Sequence, residues 1–170
     1  MSRYAAQPLR EILPRVHQWS VASARYTLES YLIDEPGGAV AIDPQELAPR
    51  LAADVAELEA VTPDHLHDEA TELPAGLRAT ALGGISAGEH ALLWPRERGV
   101  LFVGDALGTT SYWIPEAGRL GTHPRLRPPQ LLRRLLEVEF ASLAVGHGEP
   151  ILDTAKAELR AYLEQATRDG

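Results

Sequence analysis

Two short apolar runs in this chain end the same way. Leu101-Phe-Val-Gly104 leads into Asp105, and Leu143-Ala-Val-Gly146 leads into His147. Runs without polar alternation read as strands buried on both faces, because a strand with one wet face alternates. A buried strand that hands a carboxylate or an imidazole to a loop is a common way to place a metal ligand or a general base. Glycines flank His147 in Gly146-His147-Gly148-Glu149-Pro150. Glycine carries an entropic cost and is kept where the chain needs a positive φ or a close approach. Taken alone, Asp105 reads first as a turn or helix-cap residue, and a lone His is more often structural.

A third segment, Val61-Thr62-Pro63-Asp64-His65-Leu66-His67-Asp68-Glu69, clusters metal-capable side chains directly after a short strand. The chain has no cysteine. Disulfides, thiolate nucleophiles and cysteine-based zinc or iron–sulfur sites are therefore excluded, and any metal must sit among nitrogen and oxygen donors. Sixteen Lys and Arg against 24 Asp and Glu give a formal net charge of −8. That balance argues against a nucleic-acid partner, whose binding needs clustered cations. The one basic cluster, Arg125, Arg127, Arg133 and Arg134, sits in a Leu-rich stretch and reads as a solvated helix face. At 170 residues the chain fits a single domain over 1–170, with no repeat, low-complexity tract or linker. No apolar run is long enough for a membrane helix and the N-terminus lacks the apolar core of a signal peptide, so no membrane association and a cytoplasmic location are expected.

The periodicities alternate along the chain. Val16 to Ser20, Tyr26 to Ile33 and Ala39 to Ile42 read as strands, the last two joined through Glu35-Pro36-Gly37-Gly38 as a hairpin. Pro44 to Leu58 reads as a helix, with Asp43 as N-cap and Leu47, Leu51, Val55 and Leu58 on one face. Strands follow at Ala60 to Thr62, Leu77 to Leu82, His90 to Trp94 and Val100 to Val103. A helix from about Pro129 to Glu137, a strand at Leu143 to Val145 and a final helix from about Leu152 to Arg168 complete the reading. Strands with interspersed helices, and polar loops at strand ends, suggest an α/β or α+β sandwich with a site where the loops converge. No phosphate-binding glycine loop and no G-x-S-x-G nucleophile elbow is present.

Taken in order, the hairpin ending in Ile42-Asp43-Pro44, Val61-Thr62 with its His/Asp cluster, Gly84-Ile-Ser-Ala-Gly88, Phe102-Val-Gly-Asp105 and Gly146-His147-Gly-Glu-Pro-Ile151 resemble the metallo-β-lactamase superfamily, nearest its glyoxalase II-like hydrolases. The resemblance covers roughly residues 25 to 152. It implies a four-layer αββα sandwich, reduced in size here, whose edge loops hold one or two ions. In such hydrolases the metal lowers the pKa of a water that attacks a carbonyl or phosphoryl centre.

The family's ligand pattern is T-H-x-H-x-D-H, then the His of G-H-T-P-G, the Asp of G-D and the His of G-H-G. With Thr62 anchored to the family Thr, the first ligand falls on Pro63, the second on His65, and the Asp and His that follow fall on His67 and Asp68 in inverted order. The His of G-H-T-P-G falls on Ile85. A second register, pairing His65 and His67 with Glu69 in the Asp position, requires an insertion after Thr62 and also leaves Ile85 in place. The stretch between Leu73 and Ile85 is shorter than the family's, so a helix and a strand beside the site are expected to be trimmed.

Two-metal chemistry needs more donors than this. The resemblance therefore implies either no cofactor or one divalent metal, Zn, Fe or Mn, on His65, Asp68, Asp105 and His147, with His67 and Asp68 as the catalytic proton acceptors if the protein is active. Tyr112 and Trp113, in the loop after the G-D strand, occupy positions where family members contact substrate, and are the candidate pocket residues. Covering a core edge is the equal alternative for them. His90 and His123 read as surface or strand-end residues, and Asp43 resembles the family's structural Asp that braces the ligand loop.

The leading expectation is a degenerate protein of this fold, a pseudoenzyme with an impaired or absent metal centre, acting as a binding or accessory module toward a small-molecule ligand. The alternative is a mononuclear metal-dependent hydrolase of an ester, thioester or lactone. Substrate, metal and oligomeric state, including a ligand supplied by a neighbouring subunit, are open at this level.

Overall fold

Each apolar run forms a strand, and the alternation of its burial tells what lies on either face. The computed structural model describes residues 5–6, 8–22, 27–43, 72–85, 89–111, 113–114, 118–126 and 129–168. Its strands are β1 (Ala5–Ala6), β2 (Arg10–Leu13), β3 (Val16–Ala22), β4 (Thr27–Glu35) and β5 (Gly38–Ile42). They continue with β6 (Arg78–Ala81), β7 (His90–Trp94), β8 (Val100–Val103), β9 (Leu107–Gly108), β10 (Gly121–Thr122) and β11 (Ser142–Ala144). Two 3-10 segments, Pro74–Gly76 and Pro129–Glu137, and the helix α1 (Ala155–Arg168) complete the described elements.

The first sheet is antiparallel in the order β1-β3-β4-β5, with β2 also paired to β3. The second runs β11-β8-β7-β6, and β11 lies parallel to β8 with Leu143 opposite Leu101. β9 and β10 make a small separate ribbon. Strand period two divides β8 cleanly between two cores. Val100 and Phe102 point between the sheets, among Val16, Tyr31, Ile33, Ile42 and Trp94. Leu101 and Val103 point the other way, onto Leu132, Leu135, Leu159 and Leu163 of the helical layer. Both faces of β8 are thus dry, which is why its sequence does not alternate.

The described molecule is therefore a mixed α+β fold, two sheets face to face with helices on the outer side of the second. On the outer face of the first sheet Trp19 and Leu32 are buried, beside Leu9 and Ala41. The expected helix Pro44 to Leu58 and strand Ala60 to Thr62 lie outside the described residues. Among the described residues, no helix is long and apolar enough to cross a membrane.

Several local expectations change. Asp43 has a φ of 47°, a left-handed conformation that an N-cap, normally extended, does not adopt. The Pro129–Glu137 helix is of 3-10 type, and its fully buried Leu132 and Leu135 are three apart, the repeat that a three-residue turn stacks on one face. α1 begins at Ala155, because the Leu152-Asp153 turn precedes it and the Thr154 carbonyl accepts the Ala157 and Glu158 N–H groups. β1 and β2 were not expected from a sequence that mixes charge and apolarity there. β2 forms because the Pro14-Arg15 turn, with Arg15 at φ 67°, folds it back onto β3. Arg133 and Arg134 are exposed, as a solvated helix face has them, and Arg133 donates to the Thr167 hydroxyl at 3.2 Å and Arg134 to the Ala81 carbonyl at 2.6 Å.

The glycines that end β8 and follow β11 meet each other. A Cβ on Gly146 would lie 2.5 Å from the Gly104 carbonyl oxygen, and the obstacle is backbone that cannot rotate away. Gly148 has a φ of 93°, and a Cβ there would strike Thr109 and Thr110. Gly146→Ala is expected to destabilise the fold by about 1 to 3 kcal/mol through overpacking, measured as a shift in the urea midpoint, whereas Gly37→Ala, whose Cβ meets nothing, changes it far less.

Candidate functional site

Because β8 and β11 are parallel neighbours and both stop at glycine, the residues just beyond them converge. His147 Nε2 lies 3.0 Å from Asp105 Oδ1, and His147 Nδ1 lies 2.6 Å from the Thr27 carbonyl oxygen. Both ring nitrogens face oxygen atoms that can accept, the Thr27 carbonyl and the Asp105 carboxylate, an arrangement that favours the doubly protonated ring. Burial of the ring works against the charge, but the hydrogen bonds to Asp105 and Thr27 and the charges of Asp105 and Glu29 outweigh it, and the His147 pKa is raised. The Asp105 pKa is lowered, chiefly by its hydrogen bond from His147, against a smaller opposing effect of burial. The two halves differ in access: the His147 side chain is 5% exposed and that of Asp105 57%. The pair thus presents its carboxylate to solvent from an anchored imidazole.

The anchor is built by the first sheet. The Glu29 N–H donates to the Gly146 carbonyl at 3.0 Å, and the Tyr31 hydroxyl to the Val145 carbonyl at 2.8 Å. From the other side the Thr109 N–H donates to the His147 carbonyl at 2.8 Å. Glu29 is itself a buried carboxylate, accepting from Gln18 Nε2 at 2.7 Å and from the Ser20 hydroxyl. Arg10 extends this chain, donating to Gln18 at 2.7 Å and pairing with Glu149 of the His147 loop. Glu29 escaped the sequence reading, although a signal existed: it has the same strand parity as Tyr31 and Ile33, so a charge there points inward.

Around Gly104 two further carboxylates gather. Asp43 Oδ2 and Glu89 Oε1 lie 3.3 and 3.4 Å from where a Gly104 Cβ would be. Glu89 has its pKa raised, by burial first and then by the charges of Asp105 and Asp43. Asp43 is exposed as a residue, yet protein crowds its carboxyl, and that burial and then Asp105 raise its pKa. Its carboxyl thus stands against Gly104, at the start of the Asp105 loop.

Trp113 stands over the pair. Its ring meets His147 edge-on, with centroids 4.8 Å apart at 90°, and meets His123 at 5.0 Å and 67°. His123, read from sequence as a surface or strand-end residue, is half-buried here. Its Nδ1 accepts the Arg125 N–H at 3.1 Å, and burial, ahead of the neighbouring charges, lowers its pKa. His90 opens β7 as a strand-end residue. Trp113 also lines a cavity against α1.

Of the expected metal ligands, Asp105 and His147 are brought together. His65, His67, Asp68 and the pocket residue Tyr112 lie outside the described residues. Ile85, at the position of the family's loop His, packs against the hydrophobic core beneath the second sheet. Among the described residues no three His, Asp or Glu side chains are grouped to hold a metal ion. Two donors fall short of the three or four protein ligands that one ion normally takes. Comparison with models of known protein families and with curated proteins finds no match.

Two outcomes follow from the charges. A histidine whose folded pKa exceeds its unfolded one contributes stability that is full below the unfolded pKa and is lost as pH rises through the folded pKa. The His147 ring protons are therefore expected to titrate above the ordinary histidine range by NMR, and Asp105→Asn to lower that midpoint. For Glu89 the raised pKa means that ionisation costs stability above the folded value, so Glu89→Gln is expected to raise Tm at neutral pH, with the gain vanishing at acid pH.

Proposed function

We propose that this chain is a metallo-β-lactamase-fold protein with an impaired metal centre that acts as a binding or accessory module. The observation that carries this reading is that Asp105 and His147 pair with each other, while Ile85, at the position of the family's loop His, is a half-buried side chain packed against the core. The ligand nearest the retained pair in the family order has been replaced by packing. Two facing sheets, with parallel strands that end in Gly-Asp and Gly-His, support the fold half of the proposal. The finer architecture, a reduced αββα sandwich with a helix over the first sheet, belongs to the same reading. So do a cytoplasmic location, favoured by the absence of cysteine, and a small molecule rather than nucleic acid or membrane as the partner.

One observation favours the alternative, a mononuclear hydrolase of an ester, thioester or lactone. The 3.0 Å between Asp105 Oδ1 and His147 Nε2 suits two ligands of one ion at bonds of about 2.0 to 2.2 Å. In that reading His65 and Asp68 complete the donor set and His67 and Asp68 accept protons. A bound Zn, Fe or Mn would make water acidic near neutral pH and polarise a carbonyl.

Elemental analysis of untagged protein, after incubation with Zn, Mn or Fe(II) and gel filtration, separates the two. Well under one ion per chain with every metal is the expected result. A stoichiometry near one, abolished by His147→Ala, overturns the proposal in favour of the hydrolase.

A further inference from the structure

The side of Trp113 that faces α1 bounds a cavity of about 540 Å³, within the range of small-molecule sites. Its composition points to what fits there. Trp113, Ile114, Leu120 and Tyr162 give it apolar and aromatic walls, and α1 also contributes Ala161 and Ala166 beside the polar Gln165. The same helix buries Leu159 and Leu163 in the core, so the small residues toward the cavity leave space where larger ones would fill it.

Both aromatic walls are fixed in place. The Tyr162 hydroxyl accepts the Thr122 N–H at 3.2 Å and pairs with the Thr122 hydroxyl at 2.9 Å. The Trp113 ring is set edge-on against His147 and His123. Rigid rings lose little conformational freedom when a flat ligand stacks on them, which favours binding. The charged residues of the lining are Arg119 and Glu158, one of each sign and both exposed. A ligand with net charge therefore meets attraction and repulsion together, while an uncharged ring gains from the walls without a desolvation penalty.

We infer that this cavity binds an uncharged, planar ring compound between Trp113 and Tyr162. The inference deepens the binding-module reading and rests on it for the claim that binding, not turnover, is what the cavity serves. Because Trp113 touches both the ligand space and His147, occupancy is also felt at the Asp105–His147 pair.

The test uses one ring in three charge states, titrated into the full ¹⁵N-labelled chain: indole, indole-3-acetate and tryptamine. The readouts are the Trp113 indole N–H and the His147 ring signals by NMR. Indole is expected to shift both with a Kd of about 1 mM or tighter, and each charged analogue to bind at least threefold more weakly. Ala161→Phe, at an exposed helix position, fills the cavity and is expected to weaken indole at least tenfold while the His147 signals of the free protein stay in place. Ala166→Phe serves the same purpose if the first variant unfolds. No shift with any of the three compounds, or equal binding to the filled variants, overturns the inference. Tighter binding of either charged analogue overturns the ligand class. Indole binding lost in the filled variants of a chain that loads one metal ion upholds the cavity and overturns the impaired-centre reading. A metal-free chain that ignores indole overturns the cavity alone.

Discussion

The contact on which the rest of the site depends is made by backbone alone. β8 and β11 run side by side in parallel, and at their ends Gly104 and Gly146 approach more closely than any side chain permits. Parallel neighbours deliver their following residues to the same edge of a sheet, which is where open α/β architectures collect functional groups. Here the delivered residues are Asp105 and His147. The first sheet then secures the second of these loops through Glu29 and Tyr31, so the Asp105–His147 distance depends on both sheets being in register. A shift of one residue in β4 would turn Glu29 and Tyr31 to the other face and release the His147 loop.

The electrostatics of this edge are lopsided. Asp43, Glu89, Asp105 and Glu29 all act on one neighbourhood, where the hydrogen bond from His147 is the chief influence lowering the Asp105 pKa. Burial divides the carboxylates into two kinds. Glu29 is deep but is met by Gln18 and Ser20, which satisfy it at fixed distances, whereas Asp43 and Glu89 crowd Asp105 and are pushed toward protonation.

Trp113 joins the Asp105–His147 pair to the cavity against α1. One edge of its ring rests on His147 and His123, and the residue also walls the cavity against α1. Residues of β10 and of α1 line that cavity together, so its shape depends on elements far apart in sequence.

Much of this was legible before any coordinates. The unalternating runs of β8 and β11 announced strands dry on both faces, and β7 and β8 fall where apolar periodicity placed them. The glycines around His147 announced close approach and positive φ, and the first occurs at both Gly146 and Gly148, the second at Gly148. Illegible were β1 and β2, which exist because an edge of β3 was available. The 3-10 character of Pro129–Glu137 and the inward burial of Glu29 were also missed. Composition and local pattern determined the strands, the cysteine-free donor chemistry and the residues that follow each glycine, because these depend on neighbours in the chain. That His147 is bonded to Asp105, that Ile85 packs against the core, and that Trp113 lines a cavity were decided by tertiary structure. Hydrogen-bond partners, local dielectric and empty volume arise from atoms that the fold brings together, and no spacing along the sequence encodes them directly.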